Sequence, residues 1–155
     1  MLSREYACNY HEPPPIDLPI TGWMRSEFRD IAGLVDLAKQ IEDEMRRLGY
    51  VRKDRFAVTL LLHEAAKNAL KHGNRYNTRL RVQVSCHVAP QEVVLEIADD
   101  GQGFDPYRVP DPLESRVGRG HRPGFGLLLM RLYSTWIRFN ETGNRVTLCK
   151  RRSAE

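Results

Sequence analysis

Cysteine is scarce in this 155-residue chain, and its three copies, Cys8, Cys86 and Cys149, lie far apart and outside any CxxC pair. That spacing excludes both a disulfide framework and a cysteine-built zinc site. Apolar runs are short, and none approaches the ~20 residues that span a bilayer, so no membrane partner is expected. The opening Met1-Leu2-Ser3-Arg4-Glu5-Tyr6 is charged and lacks the apolar core of a signal peptide, which makes the cytoplasm the expected location. The net charge is only +4, and Arg and Lys are interspersed with acids along the whole chain. That is the pattern of a solvated surface, and no direct nucleic-acid contact is expected. Also missing are a GxxxxGK[ST] phosphate loop, an intact GxGxxG after a strand, the HRD and DFG landmarks of eukaryotic-type kinases, and a GxSxG nucleophile elbow.

What is present fits one compact domain, because 155 residues are too few for two comfortable cores. Residues 1–15 end in Pro13-Pro14-Pro15 and read as a flexible tail, with the domain running over 16–152. The segment Ile16-Asp17-Leu18-Pro19-Ile20 alternates weakly, as an edge strand can. From Phe28, the apolar positions Ile31, Leu34, Val35, Ala38, Ile41, Met45 and Leu48 recur at helical spacing until Gly49. A second helix is expected from an Asp54 N-cap through Leu70, stopped by Gly73-Asn74. The period then drops to two. Leu80 to Val88 and Val93 to Ile97 read as an antiparallel hairpin around Ala89-Pro90-Gln91. Residues 107–124 hold four Arg, three Pro and three Gly without apolar periodicity, which marks a long functional loop. A leucine-rich helix over Phe125 to Tyr133 follows. Two strands, around Ile137-Arg138-Phe139 and Val146-Thr147-Leu148, then meet at a Thr142-Gly143-Asn144 turn. The order predicts an α+β fold: a two-layer α/β sandwich whose mixed, mostly antiparallel sheet carries helices on one face.

Three segments carry chemistry. In the first, Glu64, Asn68 and His72 stand at i, i+4 and i+8 and share one helix face. An amide oxygen one turn from a carboxylate suits hard Mg²⁺ beside a group that orients or deprotonates a nucleophile. On an isolated helix the same stripe is ordinary solvated surface. His63-Glu64 resembles the start of an HExxH zinc motif, but Lys67 stands where the second histidine belongs. In the second segment, Asp99 ends a strand and Gly101 and Gly103 follow, so the backbone can turn sharply and a flat ligand can approach. A buried carboxylate there accepts from an exocyclic amino group and selects adenine over guanine; alone, the segment also reads as a polar turn. In the third, Gly124 and Gly126 flank the start of the leucine-rich helix, whose amides and dipole suit phosphate, though an ordinary helix start reads the same way.

In this order and spacing, the three segments resemble the N-box, the DxGxG box and the second glycine box of the GHKL (histidine kinase-like) ATPases. Glu64 to His72, the Gly103-Phe104-Asp105-Pro106 run and Gly143 to Arg151 are most similar to the bacterial anti-sigma factor serine/threonine kinases (RsbW-like). The resemblance covers roughly residues 16–152. It implies the Bergerat ATP-binding fold with ATP and Mg²⁺ as cofactors. By match to the family motifs, Asn68 binds Mg²⁺, Glu64 is the general base, and Asp99 binds adenine. His72, Gly101, Gly103, Gly124, Phe125, Gly126 and Leu127 shape the nucleotide pocket, and the 107–124 loop is its lid. Lys71, Arg119 and Arg122 are looser matches for phosphate contacts. Asn144 departs from the family, which places a Thr near the adenine-binding Asp. The lid departs too, because Gly120-His121-Arg122-Pro123 is longer and stiffer than a compact glycine run.

The resemblance implies an anti-sigma factor that phosphorylates a STAS-type anti-anti-sigma partner and otherwise holds a sigma factor, and it implies a homodimer. An ATP-gated binding module without catalysis is the alternative. A detached histidine kinase catalytic domain fits less well, since the chain has no long helical hairpin with a phosphoacceptor His, and Glu64 ahead of Asn68 suits a serine kinase.

Overall fold

The computed structural model describes residues 21–109 and 124–154. The expected tail, the Ile16–Ile20 strand and residues 110–123 of the long loop lie outside the described residues. The first described strand is β1, Met24–Phe28, where no strand was expected. Phe28 therefore closes a strand rather than opening a helix, and its ring is buried in the core. A short 3₁₀ helix, Ile31–Leu34, follows and is capped by Asp30, whose Oδ1 accepts from the amides of Ala32 and Gly33 at 3.0 and 3.3 Å.

Helix α1, Val35–Arg47, buries Leu37, Ile41 and Met45 along one face. It ends in a Schellman motif. The amide of Tyr50 donates to the Met45 carbonyl and that of Gly49 to Arg46, with Gly49 at φ +76°. Helix α2 spans Arg52–Asn68 and starts two residues before Asp54. Asp54 is thus not an N-cap. It is fully buried in the first turn, where its carboxylate accepts from the amide and hydroxyl of Ser153 at 2.9 and 2.6 Å and faces the Lys150 ammonium at 3.3 Å. The C-terminal segment is fastened again one residue earlier. Arg152 donates to the carbonyls of Leu48 and Gly49 and stacks on the Tyr50 ring.

Strands β2 (Val82–Val88), β3 (Glu92–Asp99), β4 (Trp136–Phe139) and β5 (Arg145–Arg151) complete a five-stranded sheet in the order β1-β2-β3-β5-β4. Every described pairing is antiparallel, so the expected mixed sheet narrows to an antiparallel one. Helix α3, Phe125–Tyr133, packs on α2. The helical layer buries Val58, Leu61, Ala65 and Ala69 of α2 with Leu127 and Met130 of α3 in one core with Val82, Val84, Leu95, Ile97 and Leu148 of the sheet. The central strand β3 is buried on both faces, since Val93, Val94 and Leu95 are all covered.

Candidate functional site

The site forms where the C-terminal end of α2 meets the end of β3. Past Asn68 the helix widens into one π-turn, Ala69–Gly73, a local form that recurs at functional sites. The turn brings Gly73 against the Asp99 carboxylate so closely that a Cβ there would overlap it. Gly101 rests on the Gly73 carbonyl in the same way, so two glycines 28 positions apart in sequence are locked together. Gly73 was not among the expected site residues; its signal was its place directly after His72 in the N-box. Asn74, also unforeseen, bolts this corner down. It is buried, and its Nδ2 donates to the Arg81 carbonyl at 2.9 Å, which also accepts from the Asp100 amide.

Asp99 is 9% exposed. One oxygen, Oδ1, accepts from the Gly101 amide at 2.9 Å, while Oδ2 accepts from no described residue and remains open to a ligand. Burial pushes its carboxyl above the usual range; the Gly101 bond opposes that and the neighbouring Asp100 adds to it. Asn144 stands beside it. Its carbonyl accepts from the Asp99 amide at 2.9 Å and its Nδ2 reaches the Asp99 carbonyl at 3.5 Å, so the amide keeps a polar group where the family has a hydroxyl. A small cleft opens here, lined by Asn68, Ile97, Asp99, Phe104, Met130 and Phe139 among others. Its walls are apolar with few polar groups, the make-up of a pocket for a flat heteroaromatic ligand. Phe104 stacks edge-on to Phe139 at 5.7 Å and touches the His72 ring at 6.4 Å. Burial, followed by the charge of Lys71, pushes the His72 imidazole below its ordinary value.

Glu64 and Asn68 come together under the first turn of α3. A Cβ at Gly126 would lie 2.8 Å from Glu64 Oε2 and 3.4 Å from Asn68 Oδ1, so both side chains border the start of α3 and a side chain there would press on the end of the Glu64 carboxylate. The Glu64 side chain is only 14% exposed, and its Oε1 accepts from Lys67 Nζ at 2.6 Å. Gly124 caps α3 in the left-handed region at φ +87°. Gly103 packs against the 142–144 turn, too close for any side chain. The Leu127 side chain is part of the hydrophobic core, so only its backbone is placed to meet a ligand. The Phe125 ring is half exposed, and Lys71 is on the surface. Arg119 and Arg122 lie outside the described residues. No cluster of three or more His, Cys, Asp or Glu that would hold a metal occurs among the described residues.

The architecture is that of an α+β nucleotide-binding domain, with an acidic acceptor at a strand end and an amide–carboxylate pair on the facing helix. The family model for the histidine kinase-like ATPase domain matches residues 29–150, and the chain belongs to that family. Membership implies ATP binding. No curated protein matches the chain. No helix among the described residues is long and apolar enough to cross a membrane.

The residues present fit ATP. Asp99 lines the cleft beside Phe104 and Phe139, and its Oδ2 is an acceptor that no described residue uses. They also fit a magnesium ion, because the side-chain oxygen of Asn68 is a hard donor of the kind it prefers.

Proposed function

We propose that this chain is a Mg-ATP-dependent protein serine/threonine kinase acting on a STAS-type anti-anti-sigma partner, and that it otherwise holds a sigma factor. The observation that carries this reading is the pairing of Glu64 with Asn68 beneath Gly126, one helix away from the Asp99 corner. Asp99 binds the adenine amino group, Phe104 and Phe139 flank the base, and the α3 N-terminus faces the phosphates. Bound ATP supplies the transferable phosphoryl group and Mg²⁺ neutralises its charge. Asn68 holds the ion, and Glu64 takes the proton from the attacking serine hydroxyl at Oε2, the oxygen that Lys67 leaves open.

The test is incubation of the full chain with labelled ATP and purified STAS domains. Transfer of label to a serine or threonine of a STAS domain is expected. A second reading, an ATP-gated binding module without catalysis, draws on the same contact. Lys67 Nζ donates to the other oxygen of Glu64 at 2.6 Å, so half of the carboxylate is already engaged on the helix surface. Partner binding that requires ATP yet never leads to transfer would select that reading.

A further inference from the structure

We propose that Arg81 is a positioning residue for the adenine contact: it holds and neutralises Asp100, so that two adjacent carboxylates stand at the end of β3 with Asp99 lining the cleft. This role rests on the reading of Asp99 as the acceptor for the adenine amino group. Arg81 stands one residue before β2, beside the end of β3, where Val82 is already paired with Asp99. Its amide donates to Asp100 Oδ2 at 3.0 Å, and its Nε reaches the same oxygen at 3.5 Å. Its carbonyl accepts from the Asp100 amide at 3.3 Å and from Asn74 Nδ2 at 2.9 Å. Its Nη1 donates to both oxygens of Glu27 on β1 at 3.3 Å. One residue thus joins the turn after α2, the first described strand and the corner of the site.

Two carboxylates in succession are costly at such a corner. Asp99 is largely buried, and burial already favours its neutral form. The charge of Asp100 pushes the same way, against the single hydrogen bond from the Gly101 amide. A cation and an amide on Asp100 Oδ2 offset that charge. Arg81 supplies both, and Glu27 holds its guanidinium from the other side. Other charged groups around Asp99 among the described residues are Lys71 and His72 on the π-turn and Arg145, which lines the cleft. Asp100 is ion-paired with Arg81 and with none of these.

The side chains of Arg81 and Asp100 are both more than a third exposed. Exposed ion pairs contribute little to stability, so the effect of this one falls on the charge of Asp99 rather than on the fold. The backbone bonds of Arg81 survive a change of side chain, whereas the guanidinium does not, so side-chain variants isolate its charge. Without that cation, Asp99 takes up a proton at a higher pH, and ATP is lost sooner on acidification. Without the Asp100 charge, Asp99 stays ionised to a lower pH. Removing both charges together cancels the two effects.

The test is calorimetry of Mg-ATP binding to the full chain from neutral to acidic pH. The parent is compared with Arg81→Gln, Arg81→Lys, Asp100→Asn and the double variant Arg81→Gln/Asp100→Asn. The pH at which affinity falls is expected to rise by about half a unit in Arg81→Gln and to drop by a similar amount in Asp100→Asn. It is expected to return to the parent's value in the double variant. Arg81→Lys keeps the cation and is expected to track the parent. Titration of ATP itself is common to every protein compared and cancels. Affinity at neutral pH is expected to stay within about fivefold, the scale of an exposed ion pair, and thermal melts check that each variant is folded. An Arg81→Gln profile that matches the parent, an Arg81→Lys profile that follows Arg81→Gln, a shift of the same sign in Asp100→Asn, or a double variant that stays with Arg81→Gln each overturn the proposal. Asp99→Ala separates this role from the site itself. If it binds ATP as the parent does, the adenine reading fails and Arg81 has no contact to position. If it binds weakly while Arg81→Gln matches the parent, the role of Arg81 alone fails.

Discussion

The carboxylate of Asp99 rests on the backbone of Gly73, with no space between them for a side chain. This contact joins the two motif segments on which the site depends. It also explains why the helix carrying Glu64 and Asn68 loosens into a π-turn, since Ala69–Gly73 must swing the chain toward the end of β3. Next to it, Arg75 and Tyr76 sit in succession at φ +50° and +57°, a conformation costly for non-glycine residues and held here by the Tyr76 amide bonding the Leu70 carbonyl at 2.8 Å. Gly73→Ala is therefore expected to push Asp99 out of place. Overpacking of this kind costs about 1–3 kcal/mol of stability. ATP affinity should fall along with it, which calorimetry and a thermal melt on the same sample would check.

Asp99 itself should govern base selection. Asp99→Ala removes the acceptor for the adenine amino group and is expected to cost about 1.5–3 kcal/mol of ATP affinity, the range for a hydrogen bond to a charged group. GTP binding, already weak, should change little, so the ATP-to-GTP ratio collapses. The sign of the pH effect follows from burial, which raises this carboxyl above the usual range. Once protonated, Asp99 no longer offers a charged acceptor. ATP affinity should thus fall as pH drops through that raised value, beginning at a higher pH than an ordinary Asp would give. Titration calorimetry from neutral to acidic pH would reveal it, and a flat profile would remove Asp99 from the adenine contact.

Much of this was legible in the sequence, for physical reasons that differ by element. Helix α3 and the β2–β3 hairpin were readable because apolar period and flanking glycines agreed. Strand β1 was not, because Met24, Ser26 and Phe28 form too short and too polar an alternation to stand out, and Phe28 also continues the helical spacing of Ile31 and Leu34. Asp54 misled through a correct rule. It is a good N-cap residue near a helix start, yet tertiary partners 99 positions away, the amide and hydroxyl of Ser153, claimed its carboxylate instead. Within the candidate site, residue type and spacing singled out Glu64, Asn68 and Asp99, and the fold sets all three around the end of α2. The core role of the Leu127 side chain was not legible, because a motif position does not say which way a side chain faces. Gly73 and Asn74 were overlooked because their role exists only once two distant segments meet.

The Asp54 clamp makes a stability prediction separate from ATP. Burial raises the carboxyl of Asp54, but the Ser153 hydrogen bonds and the Lys150 charge outweigh it, and the net shift is downward. A lowered folded value means that the clamp contributes in full above the ordinary Asp range. Its contribution is lost as pH falls through the lowered folded value. Asp54→Ala is expected to cost about 3 kcal/mol at neutral pH, the low end for breaking a buried ion pair, because Lys150 retains some contact with water. Urea midpoints for parent and variant should converge in strong acid. Equal midpoints at neutral pH would show that the C-terminal segment holds nothing down.

Glu64 and Asn68 should fail in different ways, because the proposed function sets one on the nucleophile and the other on the metal. Asn68→Ala removes a magnesium ligand and is expected to weaken Mg-dependent ATP binding and phosphoryl transfer together. Glu64→Gln keeps shape, volume and an oxygen for Lys67 Nζ, now 2.6 Å from Oε1, so the helix surface beneath Gly126 is undisturbed. ATP affinity should stay within about twofold, since no lost contact involves the nucleotide. Transfer to a STAS domain should drop by about 10²–10⁴-fold, the usual contribution of a general base. Paired assays of nucleotide affinity and transfer on both variants separate the two roles. If Glu64→Gln transfers as fast as the parent, the proton leaves the serine by another route. If both variants lose ATP binding equally, Glu64 serves the metal site with Asn68 rather than acting as a base beside it.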